Sequence, residues 1–289
     1  MREALPTTIL PSPSQHRYRE QLGFMARFPG YTTVTRGETL TLWYRAAEDP
    51  QRLVLRLRDA GLEVQGDESV ARRILRIDAD PVPGDFVQGL PLPHQRLYRR
   101  FAGVRPVLFA EPYEGLAWTI LGQQITVRFA AELKEAVANR YGSVISCGDS
   151  RIAVFPSAAR MAAVPVHELA SLRLSRQKAA TLVSVAQGIA AGDLDVDALY
   201  RATSEEAMET LRRFKGIGPW TAEYCLLRVF GHSDVIPAAD AGLKRAWARE
   251  AGLPRVSEQE VRQAAEAWRG WRSDFAFWLW LANIMSKPE

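Results

Sequence analysis

The sequence predicts an α+β protein: a small N-terminal mixed α/β lobe with an antiparallel sheet, then a mainly α-helical, two-lobed core. Two observations carry this. Residues from about 22 to 80 alternate apolar and polar side chains and are rich in β-branched and aromatic types, as half-buried strands are. From about residue 111 the apolar positions recur at helical spacing instead. The chain is 289 residues long and 47% hydrophobic, enough for a large core. The division expected is 1–105 and 106–289.

Residues 1–15 carry Pro6, Pro11 and Pro13 and read as irregular. The run YTTVTRGETLTLWYRA reads as two strands joined at Arg36-Gly37, and QRLVLRLRDAGLEVQGD continues the sheet. VARRILRI is more helical. DADPVPGDFVQGLPLPHQ, dense in proline and glycine, reads as a surface connection before a helix at about 94–102. EPYEGLAWTILGQQITVRFAAELKEAVANRYG is long and apolar enough for two helices, with Gly142 as C-cap. PVHELASL, SRQKAATLVSVAQGIAAG, SEEAMETLRRF, PWTAEYCLLRVFG, AGLKRAWAREAG, SEQEVRQAAEAW and RSDFAFWLWLANIM each predict one helix, with Ser204 and Ser257 as N-caps.

The formal charge is +4. Residues 1–105 hold 16 basic and 12 acidic side chains, and 106–289 hold 21 of each. A grip on a polyanion by the second part therefore has to come from local placement rather than bulk charge. Cys147 and Cys225 are the only cysteines, too few for a disulfide framework or a four-thiolate metal site. No apolar run approaches the roughly 20 residues of a membrane span, and the N-terminus has no apolar core of signal-peptide length. The expected location is cytoplasmic.

Most of the chemistry is concentrated in LRRFKGIGPWTAEY, residues 211–224. Ala207, Leu211 and Phe214 form one apolar stripe that ends at Gly216, suited to a left-handed conformation. Gly218 is expected to let the backbone turn again, and Pro219 sits at the first position of the next helix, where its missing N–H costs nothing. The expected geometry is helix, three-residue hairpin (Gly216, Ile217, Gly218), helix. Free amides at a helix N-terminus attract phosphate, and Lys215, Arg212 and Arg213 add charge beside them. A tight connection serving packing alone is the competing reading. Downstream, Asp240 stands where a helix begins, as N-capping aspartates do. Trp220 and Tyr224, four apart, share a helix face, and Trp278 and Trp280 lie in FAFWLWLAN.

Taken together, LRRFKGIGPWTAEYCLLRVF with the aspartate of PAAD, the upstream EPYEGLAWTILGQQITVRFAAELKEAVANRYG and the closing AWRGWRSDFAFWLW resemble the helix-hairpin-helix DNA glycosylases, and most nearly the AlkA-type 3-methyladenine branch. The likeness covers about 105–285 strongly and 20–100 weakly, where that branch carries a small mixed lobe.

The resemblance implies that alkylated purines are flipped out of duplex DNA and removed by hydrolysis. The helix-hairpin-helix at 205–230 would anchor the strand through Lys215, Gly216, Ile217 and Gly218. Asp240 matches the catalytic carboxylate, Trp220, Tyr224 and Trp280 would line the base pocket, and Trp278 would be core. Trp220 occupies the position of the Schiff-base lysine in the DNA-nicking branches, so base removal without strand cleavage is implied. Gln124 stands where that branch has a leucine wedge, and Ala239 where a second aspartate is often found. No metal or cofactor is implied, beyond a monovalent cation bridging the hairpin to a DNA phosphate. The partner implied is duplex DNA with alkylated bases, met by a monomer. A glycosylase for oxidised guanine and a non-catalytic lesion-binding protein are the alternatives.

Overall fold

The computed structural model describes residues 5–11, 17–147 and 150–285. Its N-terminal sheet is antiparallel and five-stranded, in the order β1-β5-β4-β3-β2. The strands are β1 (Thr7–Pro11), β2 (Thr32–Arg36), β3 (Thr39–Ala46), β4 (Asp49–Arg58) and β5 (Gly61–Gln65). The turn between β2 and β3 falls at Gly37, with φ +56°, as expected. Period-2 alternation turns Leu40 and Leu42 of β3, and Leu53 and Leu55 of β4, into the core.

Two features differ from the expectation. Residues 7–11 are a strand, because β1 pairs with β5 across more than fifty residues of sequence, which no local pattern reports. Residues 1–4 and 12–15 of the expected irregular segment lie outside the described residues. The start of the strand-like region is a helix, α1 (Tyr18–Arg27), which buries Tyr18, Leu22 and Met25 at i, i+4 and i+7. Next come α2 (Glu68–Leu75), capped by the Asp67 carboxylate, and α3 (Leu92–Phe101).

The helical part opens with α4 (Pro112–Gly122) and α5 (Val127–Tyr141). Gly142 is the C-cap of α5, and its need for glycine is steric: a Cβ there would sit 2.1 Å from the Val154 carbonyl oxygen. A small hairpin unforeseen from the sequence follows, β6 (Ser143–Cys147) with β7 (Ser150–Val154). Its Ile152 and Val154 pack on Trp43 of β3. Then come α6 (Ala158–Ala162), α7 (Val166–Ala170), α8 (Arg176–Ala191), α9 (Val196–Arg201) and α10 (Ser204–Arg212). The N-cap of α10 is Thr203 rather than Ser204, because Thr203 and Glu206 close a reciprocal capping box.

The last helices are α11 (Pro219–Cys225), which continues as a π-helical turn over Leu226–Phe230, α12 (Ala241–Ala251), α13 (Glu258–Glu266) and α14 (Arg272–Met285). Ser257 caps α13 as expected. One continuous apolar core runs from the sheet into the helices. Its joints are aromatic: Phe24 of α1 meets Phe277 of α14 at 4.8 Å between ring centroids, and Phe28 meets Trp118 of α4 at 5.1 Å. Trp278 is fully buried and donates to the Val104 carbonyl, a core residue as expected. No helix among the described residues is long and apolar enough to cross a membrane.

Candidate functional site

The site is assembled from α11, α12, α14 and the turn between α4 and α5. The link from α10 to α11 is longer than the expected three residues: it runs from Arg213 to Gly218. Helical hydrogen bonds tighten it at both ends, Phe214 N to Leu211 O at 3.2 Å and Ile217 N to Phe214 O at 3.0 Å. Ile217 is buried, so anything docking on the hairpin meets its backbone rather than its side chain. Gly216 has φ +97°, and a Cβ there would lie 2.1 Å from Thr181 Oγ1, so glycine is required twice over. Gly218 differs from the expectation. Its φ of −88° and ψ of 178° are extended backbone open to any residue, and an added Cβ would meet nothing within 4 Å. Nothing in the chain itself demands glycine at 218. As N-cap it offers no side chain to the first turn of α11, whose amides stay uncapped. Lys215, Arg212 and Arg213 are exposed beside them.

Asp240 is the N-cap of α12, as its position in PAAD predicts. Its Oδ1 accepts from Leu243 N at 2.8 Å and from Trp280 Nε1 at 3.0 Å. Among the described residues Oδ2 has no hydrogen-bond partner, so the carboxylate is held by one oxygen and presents the other. Trp280 packs against Tyr224 at 5.2 Å, and Tyr224 against Trp220 at 5.6 Å. The three expected pocket residues therefore form one aromatic row that ends on the expected catalytic carboxylate. Trp220 Nε1 is buried without a hydrogen-bond partner. Burial pushes the Tyr224 hydroxyl above its ordinary pKa, against the pull of the neighbouring Arg228 charge. A cavity of about 420 Å³ lies elsewhere, between α2, Tyr200 and Phe230, and the aromatic row does not line it.

Gln124 lies in the turn between α4 and α5, exposed, with φ +56°. A non-glycine residue in this region is strained by about 1 kcal/mol or more and persists only where its surroundings impose it. Here the neighbour imposes it: Gln123 Nε2 donates to Gly216 O at 2.8 Å and to Thr221 Oγ1 at 3.0 Å, tying the turn to the hairpin. Gln123 was not foreseen, because its role depends on a contact more than ninety residues away.

Gly242 was not foreseen either. A Cβ at this position would lie 2.9 Å from Asp240 Oδ1 and 3.6 Å from Trp280 Cδ1. Gly242→Ala is expected to raise helix stability by up to about 1 kcal/mol while it displaces the carboxylate. Thermal melting of this variant should show no loss. Among the described residues no group of three or more His, Cys, Asp or Glu side chains converges as a metal site would need.

The model of the HhH-GPD superfamily of base excision DNA repair proteins matches residues 117–270, which include the turn, the hairpin and Asp240. The chain belongs to this superfamily. It is 30% identical over 232 residues to DNA-3-methyladenine glycosylase 2 of Escherichia coli, covering 80% of this chain and 77% of that protein. It is also 30% identical over 183 residues to a DNA-3-methyladenine glycosylase of Bacillus subtilis, covering 63% of this chain but only 60% of the relative. A solved 3-methyladenine DNA glycosylase from Archaeoglobus fulgidus shares the fold, with a TM-score of 0.79, 24% identity and 96% and 98% of the two chains covered.

Proposed function

We propose that this protein is a monofunctional DNA glycosylase, acting as a single chain, that flips alkylated purines out of duplex DNA and removes them by hydrolysis. The observation that carries the reading is the row Trp220–Tyr224–Trp280 ending on a carboxylate that has one oxygen held and one free. A flipped base stacks on the row, and stacking on aromatic side chains contributes roughly 1–3 kcal/mol per base. The deoxyribose then lies against Asp240. As the glycosidic bond breaks, positive charge grows on the sugar, and the free oxygen of Asp240 stabilises it and orients water.

The hairpin seats a DNA phosphate on the uncapped amides of α11, with Lys215 beside it. Such contacts read no sequence, which suits an enzyme that acts wherever damage falls. A monovalent cation bridging the hairpin to that phosphate is compatible with the hairpin. The carbonyls of Lys215 and Gly216 each accept one bond, from Thr181 Oγ1 and Gln123 Nε2, and each keeps a second lone pair.

Gln124 fills the gap left by the flipped base. Its exposure and strained backbone, fixed from below by Gln123, support this. Gln124→Ala is expected to slow excision of well-paired lesions more than of mispaired ones, because the plug offsets lost stacking. Equal slowing of both would assign the wedge to another side chain.

The test of the monofunctional reading is chemical trapping. With tryptophan at 220 no amine meets the sugar there, so borohydride should capture no covalent protein–DNA complex. Strands should break only after hot alkali. A trapped complex would contradict the reading, and Lys215 and Lys244 would be the amines to replace first.

A further inference from the structure

Behind the aromatic row lies a buried charge. Arg228 is 1% exposed and sits in the π-helical turn that follows α11. Local π-helix often marks a functional position, because the extra residue redirects a side chain. Arg228 Nε donates to the Val107 carbonyl at 2.8 Å, one Nη donates to Tyr31 Oη at 2.6 Å, and the other reaches Tyr224 Oη at 3.5 Å. Aromatic faces fill the rest of its surroundings, among them Phe24 at 4.8 Å, Phe28 at 5.1 Å, Trp280 at 5.7 Å and Tyr224 at 5.9 Å from the guanidinium carbon. No carboxylate pairs with it among the described residues. Glu114, on the neighbouring α4, is held by Lys134 at 2.5 Å. A buried cation without a counter-ion is costly, and hydrogen bonds and ring faces offset only part of that cost. An apolar side chain of similar size would fill the same cage without the penalty.

Two of the cage rings, Tyr224 and Trp280, are also walls of the proposed base site, and Trp280 donates to Asp240. The guanidinium therefore lies over the Trp280 ring and the carboxylate at its N–H edge. Resting on the glycosylase reading, we infer that Arg228 is the positive pole, and Asp240 the negative pole, of a fixed field along the path of charge in glycosidic cleavage. When the C1′–N bond breaks, its electron pair leaves with the base, C1′ becomes cationic, and water then adds its oxygen to C1′ and gives up a proton. A cationic alkylpurine thereby becomes neutral, and a neutral lesion leaves carrying negative charge. In both cases positive charge moves from the base side to the sugar side, away from Arg228 and toward Asp240. For a base stacked about 9 Å from the guanidinium, with C1′ about 3–5 Å farther on, shifting a unit charge from one to the other at an effective dielectric near 20 changes the rate by roughly two- to threefold.

The same charge weakens the cation–π preference of the row for cationic bases, because the guanidinium repels them through the ring. Arg228 thus acts on the rate of bond breaking more than on the capture of charged lesions.

The experiment compares Arg228→Met with Arg228→Lys in the full chain, by single-turnover release of hypoxanthine, a neutral base, and 7-methylguanine, a cationic one, from otherwise identical duplexes. Binding to an abasic-site duplex reports that each variant is folded. Arg228→Met should slow release of both bases roughly two- to threefold with abasic-duplex affinity unchanged, and Arg228→Lys should recover most of the rate. If the methionine variant does not bind, Arg228→Gln, which keeps a hydrogen-bonding amide, takes its place. Wild-type rates in the neutral variant, or a lysine variant as slow as the neutral one, would overturn the field role and leave Arg228 as packing. If the wild type releases neither of these bases nor any alkylated base, the glycosylase reading falls first and this inference with it.

Discussion

Asp240→Asn should lose base release by at least a hundredfold and keep its grip on DNA. The amide oxygen can still accept from Leu243 N and Trp280 Nε1, so the cap on α12 and the indole contact survive. What disappears is the negative charge beside the developing sugar cation. Preorganised electrostatic groups of this kind are worth roughly 3–4 kcal/mol to a transition state, and each 1.4 kcal/mol is about tenfold in rate. Release rates from a lesion duplex and affinity for an abasic duplex, measured on the same preparation, separate the two effects. Release within a few-fold of wild type would remove Asp240 from the chemistry.

The two hairpin glycines should behave differently, although their sequence context looks symmetrical. Gly216→Val places a β-branched residue at φ +97° with its Cβ against Thr181. Backbone strain and the clash together should cost about 2–4 kcal/mol of stability. DNA affinity should fall with it, since Gly216 O also anchors Gln123 and through it the turn carrying Gln124. At 218 an added Cβ meets no atom of the chain, and Gly218→Val should change stability by less than about 1 kcal/mol. It should still weaken DNA binding, equally for every sequence, because its side chain would stand where a phosphate backbone must approach. A melting curve and a salt-matched binding titration decide this for each variant. Full affinity in a stable Gly218→Val protein would show that no backbone docks there.

How far the site was legible depended on how local its cause is. The N-cap role of Asp240 follows from its place after a proline-bounded segment, and the shared face of Trp220 and Tyr224 follows from helical spacing. The strand character of the β2–β5 region and the turn at Gly37 followed from alternation, but the register did not. The strand β1 and the β6–β7 hairpin did not, because short strands are stabilised by distant partners. Helix α1 had a readable period, Tyr18–Leu22–Met25, masked by the β-branched run just after it. Gln123, Gly242 and Arg228 act across 40 to 197 residues of sequence or through an empty volume, which spacing cannot express. Arg228 did leave one trace: a lone charge in the apolar run YCLLRVF, which a buried helix tolerates only when the charge has a use.

The proposed reaction breaks the bond between an alkylated purine and its deoxyribose and leaves the strand whole. The direct measurement is chromatography of the small molecules freed from a duplex carrying one alkylated purine, with the labelled strand run on a denaturing gel before and after hot alkali. Free modified base in the soluble fraction, with strand scission seen only after alkali, is the predicted result. A bound duplex that yields no free base, or a strand cut before alkali, would contradict it.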